Sequence, residues 1–408
     1  MRSSRRPVRR RWSLLIAASL VVLGLPTISA SPVSASPAAD GPGALSHFDL
    51  ARKDCLGTSR TTSSKVWFTV AGGVLSDVYY PTIDNTNVET LQYIVTDGST
   101  FTDLQARDMV STATALDRSG MSCRVTSMAR SGKYSIITDY VTDPGRATLL
   151  MSTRLVTAKK SSHDPSPLKL YVRFDPTVNG NGGGGPGNGG ADSAVTDTST
   201  GHPIPVAYDT NTATNAANRD YAQPVFAALD GPFTKVTSGF AGAASDGLTQ
   251  LDAGHTLTAV NESADTGNIV QVAEVKRSRH HDGGGDGDAV TFALGFGATQ
   301  ASAVATAEAS LRGDFKHIRK DYEKGWQRYD DKLNPPPRSL PGISRARMRE
   351  LRDAYYLSIN VVKAAEDKTF PGAIVAGLSS PWGQAVSAGD PNNTYFGSYR
   401  EVFSRDLY

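Results

Sequence analysis

Between Lys65 and Phe296 the chain is a succession of short runs rich in β-branched and aromatic residues, and at Ala298 that pattern stops and a helical period begins. Val66–Val70 and Val74–Tyr80 flank an Ala-Gly-Gly turn, which predicts a hairpin. Further strand-like runs follow at Leu91 to Thr96, Tyr134 to Val141, Thr148 to Val156, Leu168 to Phe174, Phe233 to Phe240, Ile269 to Val275 and Val290 to Phe296. Asp-Gly, Asp-Pro-Gly and Asn-Gly turn signals separate them, and no helical pattern lies between them to make parallel crossovers. The expectation is a large antiparallel β-sandwich over about residues 45–297, within a domain placed at 36–297.

Beyond it, Leu311, Phe315, Ile318, Tyr322, Trp326, Tyr329 and Leu333 recur every three or four residues, predicting one linker helix from about Gln300 to Lys332. Pro335, Pro336 and Pro337 end it, so that residues 298–337 read as an interdomain connector. A second helix is expected from Ser344 to Ala365, with Ser344 as N-cap and Met348, Leu351, Tyr355, Ile359 and Val362 on one stripe. Residues 338–408 then open an all-α domain. A chain of 408 residues is long enough for two or three such domains.

The first 35 residues form a separate unit, since an Arg-rich opening precedes an apolar run from Leu14 to Leu25 and then small residues. This is the pattern of a secretory signal peptide, with cleavage after Ala30 or Ala35. The apolar run is shorter than the ~20 residues that a membrane span needs. The mature protein is therefore expected to be secreted and extracellular, free of the membrane, with the tract from Ser31 to Gly43 as a flexible N-terminus. A net charge of +2 gives no electrostatic reason to expect nucleic acid. In an exported chain, Cys55 and Cys123 are most simply one disulfide of the N-terminal domain, the alternative being two buried thiols. The acidic stretch with Asp282, Asp286 and Asp288 lacks EF-hand spacing and a closing Glu, and reads as a hairpin loop.

Function is concentrated in the last forty-five residues. Saccharides are bound by aromatic faces and by planar charged groups that hold several hydroxyls. Trp382, Tyr395, Tyr399 and Phe403 supply the first, and Arg405 with Asp406 the second. The competing reading is a surface ion pair beside core aromatics.

Four stretches decide between these readings: KVWFTVAGGVLSDVYYPTIDNTNVETLQYIVTDG from Lys65, ALGFGATQASAVATAEASL from Ala293, KGWQRYDDKL from Lys324 and KTFPGAIVAGLSSPWG from Lys368. They resemble bacterial glucoamylases and glucodextranases of glycoside hydrolase family 15. The resemblance implies an N-terminal β-supersandwich joined by a helical linker to an (α/α)6 barrel, which removes glucose from non-reducing ends of α-glucans with inversion. It also implies that Arg405 and Asp406 hold hydroxyls of the terminal sugar and that Tyr399 lies beside it. Phe403 stands where a Trp is usual, and Trp382 belongs to a segment shared with bacterial members.

No catalytic residue is assigned within the chain. In the family the general acid and base are both Glu and lie well beyond the Arg-Asp motif, hence beyond Tyr408. Glu366 and Glu401 align with neither and read as structural or solvated carboxylates. The chain by itself is accordingly expected to be an inactive N-terminal fragment whose partner is an α-glucan oligo- or polysaccharide. No cofactor is required, and the resemblance leaves room for a structural calcium without a ligand set for it here. Two alternatives remain: a non-catalytic secreted carbohydrate-binding β-sandwich, or an enzyme specific for α-1,6 dextran or trehalose.

Overall fold

The computed structural model describes residues 36–41, 53–157, 168–180, 192–210, 223–276, 289–378 and 402–403. The chain begins with strands β1 (Cys55–Thr58), β2 (Trp67–Ala71), β3 (Val74–Tyr79), β4 (Thr86–Thr96) and β5 (Thr102–Leu104), then a helical turn α1 (Gln105–Asp108). Next come β6 (Met109–Ala115), β7 (Cys123–Ala129), β8 (Tyr134–Thr142), β9 (Thr148–Thr157), β10 (Lys169–Gly180), β11 (Asp192–Asp197), β12 (Ile204–Asp209), β13 (Val225–Asp230) and β14 (Phe233–Phe240). Helix α2 (Gly247–Gly254) precedes β15 (Ser263–Gly267), β16 (Ile269–Val275) and β17 (Val290–Gly297), and three helices follow: α3 (Gln300–Leu311), α4 (Phe315–Asp330) and α5 (Arg345–Ala364).

The strands make two antiparallel sheets, the sandwich expected from the sequence. One runs β1-β2-β3-β4-β10-β16-β14, with β5 paired to β4; the other runs β15-β11-β12-β13-β17-β9-β8-β7-β6. The β2–β3 hairpin turns on Gly72 and Gly73, both at positive φ, as an Ala-Gly-Gly turn requires. Alternation along each strand separates the core from the outer faces. Leu91, Tyr93 and Val95 of β4, Leu170, Val172 and Phe174 of β10, and Phe292, Leu294 and Phe296 of β17 meet between the sheets. Cys55 of β1 and Cys123 of β7 are joined by a disulfide, Cα atoms 6.5 Å apart, which links one sheet to the other.

The outer faces are covered unequally. Ile94 and Tyr171 pack under Leu251 of α2. On the other sheet, Val141, Leu150 and Ala293 pack under Tyr322 and Trp326 of α4, while Val206 and Ala228 meet Ala303 and Val304 of α3. The sequence predicted one connecting helix here. The structure has two, because Gly313 follows the end of α3 and Asp314 starts α4 afresh, its carboxylate accepting from His317 N at 3.0 Å. These helices lie on the sheet, held by Trp326 Nε1 donating to Thr58 O at 2.8 Å and Tyr322 OH donating to Met121 O at 2.7 Å. Sandwich and helices belong to one compact unit that begins at Ala35.

Two further expectations are corrected. Within the tract expected to be flexible, residues 36–41 are pinned: Pro37 bridges to Ser263, Ala38 N donates to Ser263 O at 2.9 Å, and Asp40 accepts from Ser245 N at 2.7 Å. The open edge of β15 supplies the Ser263 contacts, and the segment before α2 supplies Ser245. Helix α5 has its expected N-cap, Ser344, but buries Met348, Tyr356, Asn360 and Ala364 and leaves Leu351 and Val362 of the predicted stripe exposed. Its contact with the sandwich is mixed: Asn360 Nδ2 donates to Ser119 O at 3.0 Å, the Arg118 guanidinium lies 3.7 Å from the centre of the Tyr356 ring, and Ala364 packs in the cluster of Met121 and Val141.

Candidate functional site

The chain leaves α5 into a closed loop, residues 365–378. Glu366 and Ile374 form a β-bridge, Asp367 N donates to Ala373 O at 2.8 Å, and Val375 N donates to Ala365 O at 3.0 Å. Asp367 organises the turn. One of its oxygens accepts from Thr369 N (2.6 Å) and Phe370 N (2.8 Å), and the other from Ile83 N (2.9 Å), in the β3–β4 connection of the sandwich. These three backbone donors hold the carboxylate in one orientation.

The sandwich contributes a wall to this loop. Trp67, Tyr79 and Ile83 pack against Ala365, Val375 and Leu378 in one apolar cluster, and the buried Tyr79 hydroxyl donates to Leu378 O at 3.1 Å. Lys368 reaches back across the same surface. Its amino group donates to Thr58 Oγ1 and Ser64 O and lies 4.7 Å from the centre of the Trp67 ring. Burial, and secondarily the positive charge of Arg60, push its pKa well below the ordinary lysine value.

Neither carboxylate of the loop is arranged for acid or base work. Glu366 is paired with Lys363 and accepts from Gly372 N at 3.1 Å. Burial disfavours its charge, but those hydrogen bonds outweigh it and hold the carboxyl below the ordinary glutamate value. Asp367 engages both oxygens with backbone donors, as above. The arrangement holds a segment of chain in place; among the described residues of this loop it offers no proton to a substrate.

Of the residues singled out in the sequence, Cys55 and Cys123 are bonded to each other and Phe403 is half-buried. Trp382, Tyr399, Glu401, Arg405 and Asp406 lie outside the described residues, as do Asp282, Asp286 and Asp288. Sequence reading passed over Tyr79, Asp367 and Lys368. Tyr79 reads as one more strand aromatic, and its partner Leu378 is 299 positions away. Only the polar residues of Glu366-Asp367-Lys368 at a helix end gave a local signal.

Residues 38–331 match the model of the family described as glucodextranase, domain N. The chain belongs to that family. A glucoamylase of Clostridium sp. (strain G0005) is 29% identical over 407 residues, covering 97% of this chain and 50% of its own length. The crystal structure of a bacterial glucoamylase complexed with acarbose superposes with a TM-score of 0.74 at 28% identity, covering 91% of this chain and 48% of its own. This chain thus spans about half the length of the relatives it matches, and its two sheets correspond to the glucodextranase N domain.

Proposed function

We propose that this chain is the N-terminal half of an exported glycoside hydrolase that releases glucose from the non-reducing ends of α-glucans with inversion. The observation that carries this reading is the extent of the glucoamylase similarity: it covers 97% of the chain, beyond the domain-N residues 38–331 and into the segment that follows the sandwich. In this reading α5 is the first helix of an (α/α)6 barrel and Arg405, Asp406 and Tyr399 bind the terminal sugar. Phe403 and Trp382 line the same edge, and residues 1–35 are removed on export. Inversion requires a carboxylic acid and a carboxylate about 6.5–9.5 Å apart, so that water fits beside the anomeric carbon. Both come from residues following Tyr408, in accord with the engaged state of Glu366 and Asp367.

The domain-N family description favours one variation, α-1,6 dextran as substrate in place of α-1,4 glucan. The test is to express the polypeptide continued through its catalytic half and assay maltotetraose, isomaltotetraose and trehalose, reading the anomer released by NMR. β-Glucose from maltotetraose is expected, and a preference for isomaltotetraose moves the assignment to the dextran-specific type. Turnover of none of the three leaves the non-catalytic carbohydrate-binding reading in its place.

A further inference from the structure

We propose that the junction of α4 with the β1–β2 connection holds an oxyanion site, anchored by Arg60, that takes a phosphate group either free or as a monoester. This goes beyond the hydrolase reading and is independent of it. The site is a surface cavity of about 370 Å³, lined by Arg60 and Thr61 of that connection and by Asp321, Arg328, Tyr329 and Lys332 of α4 and its end. Its cations outnumber its carboxylates three to one, and the one carboxylate, Asp321, already faces Lys324 at 3.7 Å. Among the described residues, the side chains of Arg60, Arg328 and Lys332 enter no hydrogen bond and no ion pair.

Arg60 is held in place without using its donors. On either side of it the Ser59 and Thr61 hydroxyls are 2.9 Å apart, Thr61 N donates to Ser59 Oγ at 3.3 Å, and Thr61 Oγ1 donates to Pro144 O of the β8–β9 turn. Its guanidinium lies against two rings, 4.7 Å from the centre of Tyr329 and 5.2 Å from that of Trp326. Ring contacts fix a guanidinium in place and leave its N–H edge unspent, and that fork matches two oxygens of one phosphate. Burial lowers the Arg60 pKa, and the charge of Glu366 offsets this only in part. Arginine nonetheless stays protonated, so an anion beside it recovers some of the cost of burying its charge. Arg328 and Lys332 alone could be explained as cations answering the C-terminal dipole of α4. Arg60 comes from the sandwich, and that explanation does not reach it.

The test is calorimetric titration of the 408-residue chain with sodium phosphate, glucose 6-phosphate and glucose at constant ionic strength. Saturable binding of phosphate with a Kd of about 1 mM or below is expected, and no binding of glucose. Arg60→Gln should weaken phosphate binding by about tenfold or more, and Arg328→Gln by about threefold. Arg349→Gln removes an exposed charge of α5 outside the cavity and should keep the wild-type Kd. Should Arg60→Gln not fold, Arg328→Gln combined with Lys332→Gln carries the tenfold expectation. Tighter binding of glucose 6-phosphate than of inorganic phosphate assigns a phosphorylated sugar, and equal binding assigns the free anion; the site stands in both cases. Absence of saturable binding by either, or an equal loss in Arg349→Gln, overturns it. So does phosphate binding that disappears in the polypeptide continued through its catalytic half, since the cavity is then a seat for that half.

Discussion

Glu366 illustrates how a single carboxylate can be identified as structural. Its environment contains two opposed effects: burial raises its pKa, while Lys363 and the Gly372 N–H lower it by more. The folded value therefore lies below the unfolded value, about 4.3 for a glutamate. A depressed acid contributes stability that is complete above the unfolded pKa and is lost as pH falls through the folded one. Glu366→Gln should thus lower the melting temperature at pH 7 and leave it nearly unchanged at pH 3. The pair is partly exposed, with side-chain accessibilities of 25% and 19%, so the loss at pH 7 is expected to stay under about 1 kcal/mol. Thermal melts at the two pH values check it, and an equal loss at both would assign the effect to packing.

At the level of the elements, α3 comes closest to the sheet where Gly295 of β17 faces Ala303 and Ala307. A Cβ on Gly295 would come 2.5 Å from Ala307 N and 2.8 Å from Ala303 O, both backbone atoms of α3. Gly295→Ala should therefore displace the helix and destabilise by about 1–3 kcal/mol, measured by denaturant unfolding. The two sheets have a covalent tie as well, between β1 and β7. Because Cys55 and Cys123 are 68 positions apart, replacing both with Ser frees a long loop in the unfolded chain and should cost about 4 kcal/mol, read as a lower melting temperature that reductant no longer affects.

Strands such as β4, β8, β9, β10, β14, β16 and β17 were legible in the sequence because their inner faces are Leu, Val, Phe and Tyr. Among the several passed over, β6 (MVSTATA), β11 (DSAVTD) and β12 (IPVAYD) are small, polar or begin beside Pro, and gain their strand form from neighbours rather than from composition. The break between α3 and α4 did carry a local sign, Gly313-Asp314, which the continuous apolar stripe concealed. Of the site, Arg405, Asp406 and Tyr399 were assigned from resemblance, whereas the wall formed by Trp67, Tyr79 and Ile83 depends on contacts across nearly the whole chain that no local pattern encodes.

At the scale of the molecule, most of the exposed large apolar residues among those described belong to one stretch of chain. Leu340, Ile343, Leu351, Leu357, Val361, Val362 and Phe370 are each 37–59% exposed, all on α5 or the segments flanking it, whereas the described sandwich exposes only Val110, Met128 and Val260 in this way. A helix that buries Met348, Tyr356 and Ala364 on one side and leaves a second set of large apolar residues in water has an unsatisfied side. In the hydrolase reading that side packs against further barrel helices, encoded in the half of the relatives' length that this chain does not span. The expected consequence is that the 408-residue chain binds the dye ANS and self-associates, whereas the polypeptide continued through its catalytic half does neither. Leu351→Ser with Val362→Ser in the shorter chain should reduce dye binding and association with little change in melting temperature, since both side chains are exposed. In the longer polypeptide the same pair should destabilise by about 2–5 kcal/mol, because there the two residues become core. Equal effects in the two contexts would mean that the face stays in water, and α5 would then belong to the sandwich and not to a barrel.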